Sequence, residues 1–115
     1  MQDAEGRTVP GLRSQFADDP EMAELVELFL SELPNRASAI RAAARESDAG
    51  GVRMLAHRLK GSASGYGFPT IGEAAARLEN IANDPTRAIS LTTEEVRDLI
   101  ALCERATAKG AAGER

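Results

Sequence analysis

His57-Arg58-Leu59-Lys60-Gly61-Ser62-Ala63-Ser64-Gly65-Tyr66-Gly67-Phe68 is the stretch on which the reading of this chain turns. Leading into it, Val52, Leu55, Ala56 and Leu59 recur at three and four residues, the period of a helix with one apolar face. Beyond it, Pro69 or Thr70 opens a second helix, with Thr70 and Glu73 spaced as a capping box. Ile71, Ala74, Ala75, Leu78 and Ile81 form the inner face of that helix. Between the two, the glycine- and serine-rich run from Ser62 to Gly67 ends the first helix, and its glycines allow a tight reversal that Phe68 can plug. Helices joined by so short a turn are antiparallel neighbours.

The same reading extends outward. Asp18-Asp19-Pro20-Glu21 is a helix start, with an acidic cap ahead of a proline and further acid near the positive end of the dipole. Met22, Leu25, Val26, Phe29, Leu30 and Leu33 make one apolar stripe, which resumes after Pro34 with Ala37, Ile40, Ala43 and Ala44. One long helix kinked near Pro34 accounts for this better than two separate helices. Asp48 caps the histidine helix, and Asn83-Asp84-Pro85 closes the one after it. Thr92-Thr93-Glu94-Glu95 starts a last helix, with a capping box from Thr92 to Glu95 and a stripe of Val96, Leu99, Ile100, Cys103 and Ala106. The fold class this predicts is all-α: an antiparallel four-helix bundle. A short extra N-terminal helix is expected over Val9 to Phe16, since Leu12 and Phe16 are spaced to face the same way. Residues 1–8 read as a flexible arm, 9–108 as the bundle and 109–115 as a frayed tail. The alanines at Ala42 to Ala44 and Ala74 to Ala76 suit close helix approach.

Composition narrows the function classes. At 115 residues the chain makes one domain with one modest core, and three Phe, one Tyr and no Trp make that core aliphatic. A net charge of −4 argues against sequence-independent nucleic-acid binding and fits poorly with an anionic membrane surface. No apolar run reaches membrane-spanning length and no signal-peptide pattern opens the chain, so a soluble cytoplasmic monomer is expected. The single cysteine, Cys103, permits no internal disulfide and falls on an apolar helix face, as a small buried hydrophobe would. One histidine and one cysteine on different helices do not make a metal-ligand set.

His57 is the only histidine. Imidazole is the side chain that is substantially neutral, and so nucleophilic, near neutral pH without special tuning. His57, Lys60 and Ser64 share a helix face by their spacing, and Gly61 leaves a gap one turn from the imidazole. Taken singly, each has an ordinary reading: a solvated imidazole, a solvated cation, a glycine near a frayed end. Together they are a plausible seat for a phosphoryl group.

The run His57-x-x-Lys60-Gly61-Ser62, the Gly67-Phe68 pair and the Leu78-Glu79 pair on the next helix resemble the signature of the histidine-containing phosphotransfer (HPt) domain family. The resemblance extends through helix order and spacing from about Leu12 to Ala106. It implies that His57 is the phosphoacceptor through Nε2, that Lys60 lies beside the phosphoryl group and that Gly61 keeps the site open. Glu79 stands where family members place a group that bonds the other imidazole nitrogen, although it is equally well placed as an exposed helix carboxylate. The partners implied are response-regulator receiver domains and a (hybrid) histidine kinase. Mg²⁺ is expected only in the receiver, and this chain needs no cofactor. Gly61-Ser62 is not a nucleotide-binding loop, so the chain reads as a phosphocarrier without enzymatic activity of its own. Two other readings stay open: a helical adaptor whose histidine is incidental, and the phospho-accepting domain of a chemotaxis-type histidine kinase.

Overall fold

The structure, a computed structural model, describes residues 12–107. Four helices carry the fold: α1 (Ala23–Arg45), α2 (Ala49–Gly65), α3 (Pro69–Ala82) and α4 (Glu94–Arg105). Each packs on the next, and α4 returns to pack on α1. Leu33, Ile40, Val52, Leu59, Ile71, Leu78, Val96 and Leu99 fill the space they enclose, and the alanines Ala44, Ala56, Ala63 and Ala75 are wholly buried between them. Each buried Leu or Ile side chain contributes about 2 kcal/mol by leaving water.

α1 runs unbroken through Pro34. Pro34 is exposed, so the carbonyl it leaves unpaired can face water, while Leu33 and Ala37 on either side stay buried and carry the stripe across. The helix starts later than expected, at Ala23, because Asp19 is spent on a turn of its own: its carboxylate accepts from the Glu21 N–H and its carbonyl from the Met22 N–H. Leu25 was expected in the buried stripe, yet it stands 45% exposed. Ala42 is likewise exposed. The helix closes with Ser47 at φ 55° and with N–H bonds from Ser47 to the Ala44 carbonyl and from Asp48 to the Ala43 carbonyl, a left-handed cap of the kind glycine usually supplies.

Asp48 caps α2 as expected, accepting from the Gly51 N–H at 2.9 Å. Neither expected capping box forms. Phe68 is the N-cap of α3, with Pro69 at the first helical position, and no side chain caps it. Thr93 is the N-cap of α4, and its hydroxyl and that of Thr92 turn back to Ser90 instead. The Asn83-Asp84-Pro85 stop holds, with Asp84 accepting from both the N–H and the hydroxyl of Thr86. Ile89, in the loop from α3 to α4, is buried and ties that loop to the core.

The short N-terminal helix expected over Val9 to Phe16 is replaced, within the described residues, by something else. Leu12–Arg13 form a two-residue strand (β1) that pairs in parallel with Ala106–Thr107 (β2), where the α4 stripe had been expected to continue as helix. Turns follow from Gln15 to Met22. The reason is Ser14. Its buried hydroxyl donates to the Tyr66 carbonyl at 2.7 Å and accepts from the Phe16 N–H, and the Gln15 N–H donates to the Gly67 carbonyl. The Gln15 N–H is thus bound to the α2–α3 turn and the Phe16 N–H to the Ser14 side chain, in place of helical partners. Residues 1–8 and 109–115, expected to be an arm and a tail, lie outside the described residues, as do residues 9–11 and 108.

That turn is where three segments meet. Phe29 of α1 stacks on Tyr66 and Phe68, with ring centroids 5.3 and 5.7 Å away. Gly67 stands at φ 91°, and a Cβ there would meet the backbone nitrogen of Gln15 at 2.8 Å. Backbone cannot move aside as a side-chain tip can. Gly67→Ala is therefore expected to lower stability by about 2 kcal/mol in urea unfolding.

Candidate functional site

Every residue singled out for the site lies on α2 or α3. His57, Lys60 and Gly61 come from α2, and Glu79 from α3. Their meeting follows from the register of the two helices. Gly72 sits against α2 so closely that a Cβ on it would collide with Ser64 Oγ and lie 3.4 Å from the Lys60 carbonyl. Seven residues back from Ser64 is His57, and seven residues on from Gly72 is Glu79. Seven residues are two turns, so in antiparallel helices the two side chains arrive at the same level and on the matching face.

They touch there. His57 Nδ1 lies 2.9 Å from Glu79 Oε2, and Lys60 Nζ lies 2.8 Å from Glu79 Oε1. One carboxylate thus bridges two side chains of the facing helix. Its own side chain is only 21% exposed, against 40% for Lys60 and 65% for His57. The Lys60 hydrogen bond, and next the His57 one, hold the Glu79 carboxyl below the usual carboxylate range, against the upward push of its partial burial. An ionised carboxylate only accepts, so Nδ1 carries the hydrogen, and in the neutral ring the lone pair is then on Nε2. His57 is the most exposed member of the trio, and the face it shares with Gly61 is open: a Cβ on Gly61 would meet nothing within 4 Å. Among the described residues, no crowding requires glycine at that position.

An open surface depression adjoins His57. It is lined by Arg36 of α1, by His57, Arg58, Gly61, Ser62 and Gly65 of α2, and by Tyr66. Arg36 lies 6.0 Å from the Phe29 ring centroid and 3.5 Å from Glu32. Sequence reasoning missed Arg36, for which the sequence carried no signal beyond a cation in a polar stretch. It also missed Gly72, although a glycine inside an otherwise well-formed helix is a sign of close approach. Cys103 is buried as expected, and burial pushes its thiol up to about 12. Among the described residues no group of three or more His, Cys, Asp and Glu side chains is placed to hold a metal ion, and no described helix is long and apolar enough to cross a membrane.

The family model of the Hpt domain matches residues 24–109, a span that takes in the described helices almost entirely and all four of these site residues. The chain belongs to the Hpt domain family, whose members pass phosphoryl groups through histidine in phosphorelays, between histidine kinases and receiver domains. No curated protein and no solved structure matches the chain closely enough to count as a relative.

The depressed Glu79 carboxyl sets a sign. Its bonds to Lys60 and His57 favour the charged form, so their contribution to stability is fully present above the ordinary carboxylate range and is lost as pH falls through the lower folded value. In a carboxyl ¹³C NMR titration, Glu79 is expected to have a midpoint below that of a solvent-exposed glutamate. Lys60→Met should raise that midpoint more than His57→Gln does, because the lysine bond is the larger cause. A Glu79 midpoint equal to an ordinary glutamate's would remove the bridge from this account.

Proposed function

We propose that this chain is a phosphocarrier in which His57 accepts a phosphoryl group on Nε2 from a receiver-domain aspartyl phosphate and passes it to another receiver's aspartate. The observation that carries this reading is the Glu79 carboxylate on Nδ1, which leaves Nε2 free beside the open face at Gly61. The Nε2 lone pair attacks phosphorus in line. The N–P bond forms as the P–O bond to the aspartate breaks, and the aspartate departs as a carboxylate. Positive charge then spreads over the imidazole, and Glu79 across the Nδ1–H offsets it. Lys60 spends one N–H on Glu79 and has two more to offer the phosphoryl oxygens. Mg²⁺ held by the receiver would neutralise charge on the phosphoryl group, and no step falls to a cofactor of this chain. The antiparallel four-helix bundle expected from the sequence is the arrangement that the helix contacts support.

The receiver would cover apolar side chains around this face. Met54 stands one turn before His57 on α2 and is 45% exposed. Leu25 and Leu28, 45% and 56% exposed, fall by their spacing on the same side of α1 as Arg36. Large aliphatic groups left in water on the face that carries the histidine are what a desolvated interface centre needs.

Intact-protein mass spectrometry tests the reading with two donors, the small molecule phosphoramidate and a phosphorylated receiver domain. Wild type should gain one acid-labile phosphoryl group and His57→Gln none. Gly61→Ala should accept from phosphoramidate at the wild-type rate and from the receiver at least about tenfold more slowly, because its methyl group obstructs only a docked partner. Equal phosphorylation of wild type and His57→Gln would reject His57 as the acceptor.

A further inference from the structure

The cations around His57 are unevenly used. Lys60, on the α3 side, is committed to Glu79. On the α1 side, Arg36 and Arg58 both line the depression that His57 shares, and both also line the neighbouring groove with Asn35, Ala39 and Leu55. Two arginines therefore line one stretch of surface from facing helices. Like charges so placed repel one another unless an anion sits between them. The acid that reaches Arg36 is Glu32, at 3.5 Å on the same helix, and both side chains of that pair are substantially exposed, 32% and 51%. A pair of that kind holds weakly and releases its arginine readily. The Arg36 guanidinium carbon lies over the Phe29 ring, 6.0 Å from its centroid, which keeps the head at the edge of the α1 face. The depression is open to solvent, which leaves space for the residue delivering a phosphoryl group.

Resting on the phosphocarrier reading above, we infer that Arg36, with Arg58 beside it, binds the oxygens of the phosphoryl group carried on His57, so that the phosphohistidine is held from the α1 side by guanidinium as well as from the α3 side by the N–H groups that Lys60 has left over from Glu79. A guanidinium fork suits phosphoryl oxygens, to which it can give two parallel N–H bonds. The charged groups facing the phosphoryl group are then Arg36 and Glu32 from α1, Arg58 and Lys60 from α2, and Glu79 from α3.

The test is a ³¹P NMR titration of the phosphohistidine formed with phosphoramidate in the full chain. Arg36→Met keeps an unbranched apolar side chain and removes the charge. A nearby cation favours the phosphoryl dianion, so its loss should move the titration midpoint upward by about half a unit or more. Arg36→Lys should return most of that shift. Arg41→Met, whose charge is directed to Glu104 of α4, should titrate as wild type and so separate local binding from net charge. A midpoint in Arg36→Met equal to wild type overturns the proposal, and it does so even if transfer from a receiver slows, since the arginine would then be reading the partner and not the phosphoryl group. Wild type that is folded but takes up no phosphoryl group at all overturns the carrier reading itself, and this inference with it.

Discussion

The carboxylate of Glu79 has two oxygens, and α2 supplies a donor for each: Nδ1 of His57 at 2.9 Å and Nζ of Lys60 at 2.8 Å. Everything that makes the site usable depends on this bridge between two helices. It fixes which imidazole nitrogen carries hydrogen, it turns the other outward, and it stations a cation one helical turn from His57. The bridge in turn depends on how near α3 can come to α2. Gly72 allows that approach, since a side chain there would collide with Ser64. The reversal at Gly67, pinned by Ser14, Gln15 and the Phe29 stack, sets the register that brings position 79 to position 57.

Energy alone does not explain why such a bridge exists. His57 and Lys60 are well exposed, and pairs of that kind contribute little to stability. Their value is in orientation. A ring free to rotate would present either nitrogen to a partner, and a nucleophile that is correctly placed only part of the time loses rate in proportion. Placing the carboxylate on α3 and the imidazole on α2 makes the orientation a property of the packed core, in which Ala63, Ile71, Ala75 and Leu78 are wholly buried between those helices. The core is thus the part of the molecule that keeps the surface chemistry in order.

What could be read before the structure was periodic or covalent in origin. The four helices announced themselves through three-and-four spacing, and Asp48 and the Asn83-Asp84-Pro85 stop through local chemistry. His57, Lys60 and Gly61 were readable as one helix face, and Glu79 through the resemblance, because a short motif and its helical context agreed. What escaped was tertiary. Leu12 and Phe16 had the spacing of a helix, but Ser14 was drawn into long-range bonds with the α2–α3 turn, which no local pattern encodes. Leu25 fitted the apolar stripe of α1 and ended up in water. The two threonine capping boxes had the right spacing, yet the helices started elsewhere. Arg36 could not be found at all, because its place across the depression from α2 is set by packing alone.

The central claim is that Glu79 sets the tautomer of His57, and the imidazole ¹⁵N shifts of His57 test it most directly. In long-range ¹H–¹⁵N spectra recorded where the ring is neutral, wild type should show Nδ1 protonated and Nε2 bare, and Glu79→Ala should move the ring toward the mixture of tautomers found in free imidazole side chains. A ring protonated mainly on Nε2 in wild type, or a tautomer unchanged by Glu79→Ala, would contradict the account.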